Sequence, residues 1–181
     1  MSNFKILLQQ NCFATDPDQR QKAAQALEQQ YNCEINCVAL APDVQFAHHG
    51  RGCTIAAAKI DQHVTIFQNV TLGSNQRFNR QTQQWEHLGG PVIGNDVVIA
   101  DGAKVLGPVM IGAHTVIGAG AIITKNVPAN SVAYGVNQIK PRVAENEIKN
   151  TRRIQIVFIG FIYKERDTQR LPIRSCKLIL K

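Results

Sequence analysis

The chain has 181 residues, a formal net charge of +7 and 6% aromatic residues. Such a length fits one domain with appendages, and the charge by itself would suggest nucleic acid or an anionic surface. Its distribution excludes a basic, aromatic-interleaved face over most of the chain: residues 1–148 hold eleven Lys and Arg against eleven Asp and Glu, whereas residues 149–181 hold nine basic residues against two acidic ones.

Along the chain, Phe4–Leu8 is the first apolar stretch; it is too short for a signal peptide and no cleavage site follows it. Asp16-Pro17 then predicts a helix to about Tyr31, with Asp as cap and Pro in the first turn. Ala23, Ala24, Ala26 and Leu27 give that helix a weak apolar face to lay against the remainder. Residues 1–32 are therefore expected to form an N-terminal helical segment.

From Cys33 the sequence breaks into short aliphatic runs. Ile60, Ile66 and Leu72 are six residues apart, and the five-residue step from Ile55 to Ile60 implies one residue fewer at a corner. His48-His49 stands beside Gly50-Arg51-Gly52, where an imidazole at a glycine-rich corner can face a groove and act as a general base; a solvated surface pair is the plain alternative. Residues 74–91 are polar and non-periodic, as expected of a loop thrown out from a repeat, where binding contacts tend to gather. Trp85 and Phe78 are its large aromatics, able to stack on a sugar face or to pin the loop to the body.

After the loop the period becomes strict. Ile93, Ile99, Val105, Ile111, Ile117 and Ile123 recur every sixth residue, and Val97, Ala103, Val109, Thr115, Ala121 and Val127 follow each by four. A period of six is neither helical nor that of a simple strand. It describes hexapeptide repeats of a parallel β-helix, each repeat forming one short face with its aliphatic residue inward. Gly94, Ala100, Gly112 and Gly118 suit positions where a larger side chain would crowd the next coil. The expected fold is an all-β solenoid over residues 33–140, with a short N-terminal helix and a C-terminal extension.

Residues 141–181 form the basic tail. Within it, Ile154–Tyr163 reads as a strand without an obvious partner and falls far short of a membrane span. The tail could draw the protein to anionic membranes. The five cysteines, Cys12, Cys33, Cys37, Cys53 and Cys176, show no metal-type pairing, and the odd count suits a reducing, cytoplasmic setting. His63 and His114 fall on outward positions, and no His-x-x-x-x-His pair suggests a zinc site. No phosphate-cradling glycine loop precedes the repeats, which argues against a nucleotide-sugar-forming enzyme.

The segments FAHHGRGCTI and KIDQHVTIFQNVTLG, with the repeat run PVIGNDVVIADGAKVLGPVMIGAHTVIGAGAIITKNVPANSVAYGV, resemble the serine acetyltransferase branch of the left-handed β-helix acyltransferases, a branch that includes polysaccharide O-acetyltransferases. The resemblance implies a left-handed coil, a homotrimer and acetyl-CoA as co-substrate, with no metal. By the His-x-x-Gly motif it implies that His49 is the catalytic base, and by the fifteen-residue offset that Glu34, before Ile35, is its acidic partner. Amides near Gly73 would steady the oxyanion. Gly73, Asp101, Gly118 and Ala119 would lie along acetyl-CoA, with Lys125, Lys140 and Arg142 near its phosphates.

Three departures bear on the acceptor. His48 stands where serine acetyltransferases have an Asp. The chain before Pro91 reads His87-Leu88-Gly89-Gly90 rather than Arg-His-Pro, leaving Arg77 and Arg80 deeper in the loop. The large helical N-terminal domain is missing as well. These changes point to a neutral acceptor, a sugar hydroxyl of a surface polysaccharide, met by His48, His87 and Trp85. Serine is the alternative acceptor, and a non-catalytic binding module the further alternative.

Overall fold

The computed structural model describes residues 2–142; Ile154–Tyr163, Cys176 and most of the basic tail lie outside the described residues. Two helices come first, α1 (Asn3–Phe13) and α2 (Pro17–Tyr31). The second was expected: the Asp16 carboxylate accepts from the Asp18 amide at 3.0 Å, and Asn32 ends the helix in the left-handed region at φ 51°. The first was not. It buries Phe4, Leu8 and Asn11, an i, i+4, i+7 stripe whose third member is polar.

The rest of the described chain passes in rotation through three parallel sheets. Its first circuit contributes β1 (Glu34–Ile35), β2 (Ala39–Leu40) and β3 (Gln45–Phe46). The second contributes β4 (Thr54–Ile55), β5 (Lys59–Ile60) and β6 (Thr65–Ile66). The third opens with β7 (Thr71–Gly73), runs out into an antiparallel hairpin of β8 (Asn75–Asn79) and β9 (Gln84–Gly89), and resumes with β10 (Val92–Ile93) and β11 (Val98–Ile99). The fourth holds β12 (Lys104–Leu106), β13 (Met110–Ile111) and β14 (Val116–Ile117). A last partial circuit has β15 (Ile122–Ile123), β16 (Ser131–Tyr134) and β17 (Gln138–Pro141).

The sheets are β1-β4-β7-β12-β15, β2-β5-β10-β13 and β3-β6-β11-β14-β16-β17. All pairings within them are parallel except β16 with β17. Val92 pairs with Met110, Val98 with Val116 and Lys104 with Ile122, so one regular circuit takes eighteen residues, or three hexapeptides. The residues expected to point inward do so. Ile93, Val97, Ile99, Ala103, Val105, Val109, Ile111, Thr115, Ile117, Ala121, Ile123 and Val127 are all buried, as are Ile55, Ile60, Ile66 and Leu72 of the earlier phase.

Strands of two residues have no stability alone; they persist because each amide is shared with the circuit above or below and each aliphatic side chain stacks on its counterparts. Close approach explains Gly112, where an added Cβ would collide with the Ala129 nitrogen. The loop expected at 74–91 is largely the β8–β9 hairpin. Its side chains are mostly exposed, so neither face carried an apolar alternation to read.

The helices cover the first circuit. Asn11 Nδ2 donates to the Ile35 carbonyl at 2.8 Å, satisfying an acceptor that has no earlier coil to bond. Two stability measurements follow. Ile99→Ala, at a fully buried stacked position, should cost about 2–5 kcal/mol in equilibrium urea unfolding. Asn11→Leu should keep the packing but orphan the Ile35 carbonyl, costing about 1–3 kcal/mol in the same assay.

Candidate functional site

One corner departs from the repeat. In the second circuit the chain goes from Ile66 to Val70 in four steps, while in the first the equivalent path from Phe46 to Cys53 takes seven. Three extra residues therefore protrude here, as a short 3-10 turn at Ala47–Gly50. Within it His48 (φ 53°), His49 (φ 59°) and Gly50 (φ 62°) are all left-handed. For the two histidines this conformation costs on the order of 1–3 kcal/mol each, a kind of strain that concentrates at functional sites. Both are exposed, and Gly50 is buried beneath them.

The His49 ring has aromatic neighbours from the helices. Phe4 meets it edge-on at 5.7 Å between centroids, and Tyr31 lies beside it at 5.6 Å with a 37° tilt. Phe4 also touches Tyr31 and Phe46. The carboxylate expected to steady His49 is engaged elsewhere. Glu34 Oε1 accepts from Asn36 Nδ2 at 2.7 Å, and no hydrogen bond or ion pair among the described residues joins Glu34 to His49. A glutamate two residues from an asparagine on a short strand finds this local partner first, which the fifteen-residue offset could not show.

The remaining candidates fall on two corners. Beneath the His49 excursion, at successive levels of the same corner, lie Asn69, Asp101 and Ala119. Asp101 accepts from Asn69 Nδ2 at 3.1 Å, and its carbonyl accepts from Gly120. Gly118 is buried and its N–H is spent on the Ala133 carbonyl at 2.7 Å, so it offers no free amide to a ligand; Ala119 beside it is exposed.

Gly73, the hairpin and Lys125 belong to the next corner. A cleft of about 710 Å3 opens there at the hairpin root, lined by Ser74, Asn75, Leu106, Gly107, Pro108, Val109, Thr124, Lys125 and Asn126. Gly73 borders it by sequence, and its carbonyl is taken by the Gly107 amide. His87 and Trp85 are on β9: His87 Nδ1 accepts from the Gly89 amide at 3.2 Å, and Trp85 is 68% exposed with Phe78 edge-on at 5.5 Å. Lys140 is apart from both corners on β17, its ammonium 5.3 Å from the Tyr134 ring centroid, and Arg142 donates to the His114 carbonyl at 3.4 Å. Within one protomer, then, His48 and His49 are not brought together with His87 and Trp85.

A third corner carries charge that sequence reasoning treated as plain surface. His63 lies 3.3 Å from Asp43 and 3.4 Å from Asp96, and His114 lies 3.6 Å from the other oxygen of Asp96. These groups alternate up four circuits and tie them together. No group of three or more ligating side chains that could hold a metal occurs among the described residues, nor does any helix there have the length and apolarity to cross a membrane.

The four cysteines among the described residues do not offer a nucleophile. Burial raises the Cys12 and Cys33 thiols to about 11, and raises Cys37 and Cys53 as well. A thiol held protonated at neutral pH is inert. In native protein at pH 8, thiol reagent should label these four slowly and denatured protein rapidly. Because their folded values exceed the unfolded ones, their contribution is lost as pH rises above about 9, where only the unfolded thiols ionise.

Comparison with known proteins bears on this arrangement. Residues 90–125 match the bacterial transferase hexapeptide (six repeats) family model. The chain is 38% identical over 92 residues to the serine acetyltransferase of Bacillus pumilus, covering 50% of this chain and 39% of that protein. It is 37% identical over 109 residues to the Bacillus subtilis serine acetyltransferase, covering 60% and 46%. A serine acetyltransferase structure solved in complex with CoA superposes with a TM-score of 0.56 at 23% identity, over 76% of this chain and 52% of that one. The Neisseria gonorrhoeae serine acetyltransferase does so with 0.56 at 22%, over 75% and 51%. The chain thus spans less than half the length of these curated relatives. The resemblance read from the repeats, to the serine acetyltransferase branch of the hexapeptide acyltransferases, holds.

Proposed function

We propose that the chain is an acetyl-CoA-dependent O-acetyltransferase built on a left-handed β-helix and working as a homotrimer. The observation that carries this is the His48-His49-Gly50 excursion, where three inserted residues leave the stack and two consecutive histidines are both left-handed. In this reading His49 takes the proton of an acceptor hydroxyl as the oxygen attacks the thioester carbonyl of acetyl-CoA. The tetrahedral intermediate collapses with cleavage of the C–S bond, and the imidazolium returns its proton to the departing CoA sulfur. The raised thiols of Cys12, Cys33, Cys37 and Cys53 favour this direct transfer over an acyl-cysteine route through any of those four. Glu34 stands as the acidic partner by resemblance, reaching His49 only after leaving Asn36.

A trimer is supported by the split placement of the candidates. A groove between neighbours can set the His49 corner of one protomer against the hairpin corner of another, joining His48 and His49 to His87, Trp85, Gly73 and Lys125. The domain division follows the same lines: residues 1–32 as the helical cover, 33–140 as the transferase body with its extruded segment 74–91, and 141–181 as the basic tail.

For the acceptor, the relatives support serine. They are named serine acetyltransferases, 38% identical over 92 residues and 37% identical over 109. One feature of this chain favours a sugar hydroxyl as second reading. Arg77, an arginine of the hairpin able to meet a substrate carboxylate, is already paired with Glu86 at 2.8 Å, and the hydrogen bond from Asn79, followed by that from Arg77, lowers the Glu86 carboxyl. Trp85 remains available to stack on a sugar ring.

Release of free CoA thiol, measured with L-serine and with a panel of sugars, tests both readings. Turnover should fall about 100- to 10,000-fold in His49→Ala, with CoA binding retained. Turnover with serine makes the chain a serine acetyltransferase, and turnover with a sugar alone selects the second reading. CoA binding without turnover on any acceptor would contradict the assignment and leave a non-catalytic binding module.

A further inference from the structure

The pair of N-terminal helices does more than close the first circuit. It sends two aromatic rings to the residue read above as the base. Phe4, on the first turn of α1, is 3% exposed and packs edge-on against His49, Tyr31 and Phe46 at once. Tyr31, the last residue of α2, lies beside the His49 ring at 5.6 Å and 37°. Gly50 completes the seat: a Cβ there would come within 3.3 Å of Phe46 and 3.5 Å of Phe4, so the turn bearing His49 is pressed onto these rings. No hydrogen bond or ion pair among the described residues fixes the His49 imidazole, and Glu34 is bonded to Asn36.

We infer that Phe4 and Tyr31 are positioning residues for His49, an aromatic seat that orients the imidazole where a carboxylate bond is lacking. The physical case has two parts. The edge contact from Phe4 is a favoured geometry between aromatic rings, and with the tilted Tyr31 ring packed beside it the two limit rotation of the imidazole about its side-chain bonds. An aromatic face also attracts a cation, so Tyr31 favours the imidazolium that forms when the hydroxyl proton is taken. The Tyr31 hydroxyl makes no recorded hydrogen bond among the described residues, so the ring rather than the oxygen carries the role. The first thirty-one residues are thereby tied to the transfer step. The kinetic part of this inference rests on His49 being the base; the structural part does not.

The test uses the full chain and two readouts. In the NMR spectrum the imidazole carbon-bound protons of His49, assigned by their loss in His49→Gln, should be displaced by ring currents relative to those of His48. Tyr31→Leu, which keeps apolar bulk, should return them toward the His48 position, and Tyr31→Phe should leave them in place. In the thiol-release assay Tyr31→Leu should lower kcat by up to about 100-fold, the penalty for a misplaced catalytic group, with little change in KM for acetyl-CoA. Tyr31→Phe should restore kcat. Phe4→Leu provides the same pair of readouts from the other helix should Tyr31→Leu fold poorly. Unmoved His49 resonances in folded Tyr31→Leu and Phe4→Leu, or an unchanged kcat in both, would overturn the inference. A wild-type chain without turnover would instead defeat the acetyltransferase reading, while the resonances still decide whether the seat exists.

Discussion

Everything in the described chain hangs on the stacking of one aliphatic side chain on another from circuit to circuit. A two-residue strand gains too little from its own hydrogen bonds to exist, and a hexapeptide cannot bury its inward methyls alone. Eighteen residues per circuit solve both problems at once, because the same rotation that aligns amides between β10 and β13 also aligns Ile93 with Ile111. Corners are then confined to a few backbone conformations, which is why left-handed residues recur there, as at His63, Asp96 and His114. The regularity gives function its background: any residue added to a corner must leave the stack.

Two additions do so, with different consequences. The three residues at His48–Gly50 are too few to form a structure of their own, so they become a strained turn held by neighbours. The hairpin between Gly73 and Val92 is long enough to pair with itself as β8 and β9. One insertion presents an imidazole, and the other presents a surface with Trp85, His87 and the Arg77–Glu86 pair. They stand on different corners, with the backbone of the circuits between them, and this separation is what the proposed groove between protomers would bridge.

The sequence disclosed whatever follows from periodicity. Each inward position from Ile93 to Val127 is buried, and the shortened step at Ile55–Ile60 is real, repeated one circuit earlier from Ile35 to Leu40. The cap at Asp16 and the stop near Tyr31 were equally local and equally legible. What escaped was non-periodic or distant in sequence. Helix α1 hid because its buried stripe ends in Asn11, whose partner, the Ile35 carbonyl, is twenty-four residues away. The residues at the His-x-x-Gly motif were visible, but not the rings of Phe4 and Tyr31 beside them, nor the short-range bond that draws Glu34 to Asn36. Gly118 looked like an open main-chain site because its pattern is that of a corner, yet its amide is used up within the stack.

The closing of the two ends has a meaning for assembly. A column of parallel strands would accept another column end to end, since each terminal circuit offers a row of unbonded amides and carbonyls. Here α1 and α2 lie over the first circuit, with Asn11 plugging one of its carbonyls, and at the far end β17 turns back antiparallel on β16. A reversed strand breaks the repeat's phase, and a helical cover has no strand edge to donate. Among the described residues, then, the parallel edge that each circuit offers the next is met by a different kind of element at either end.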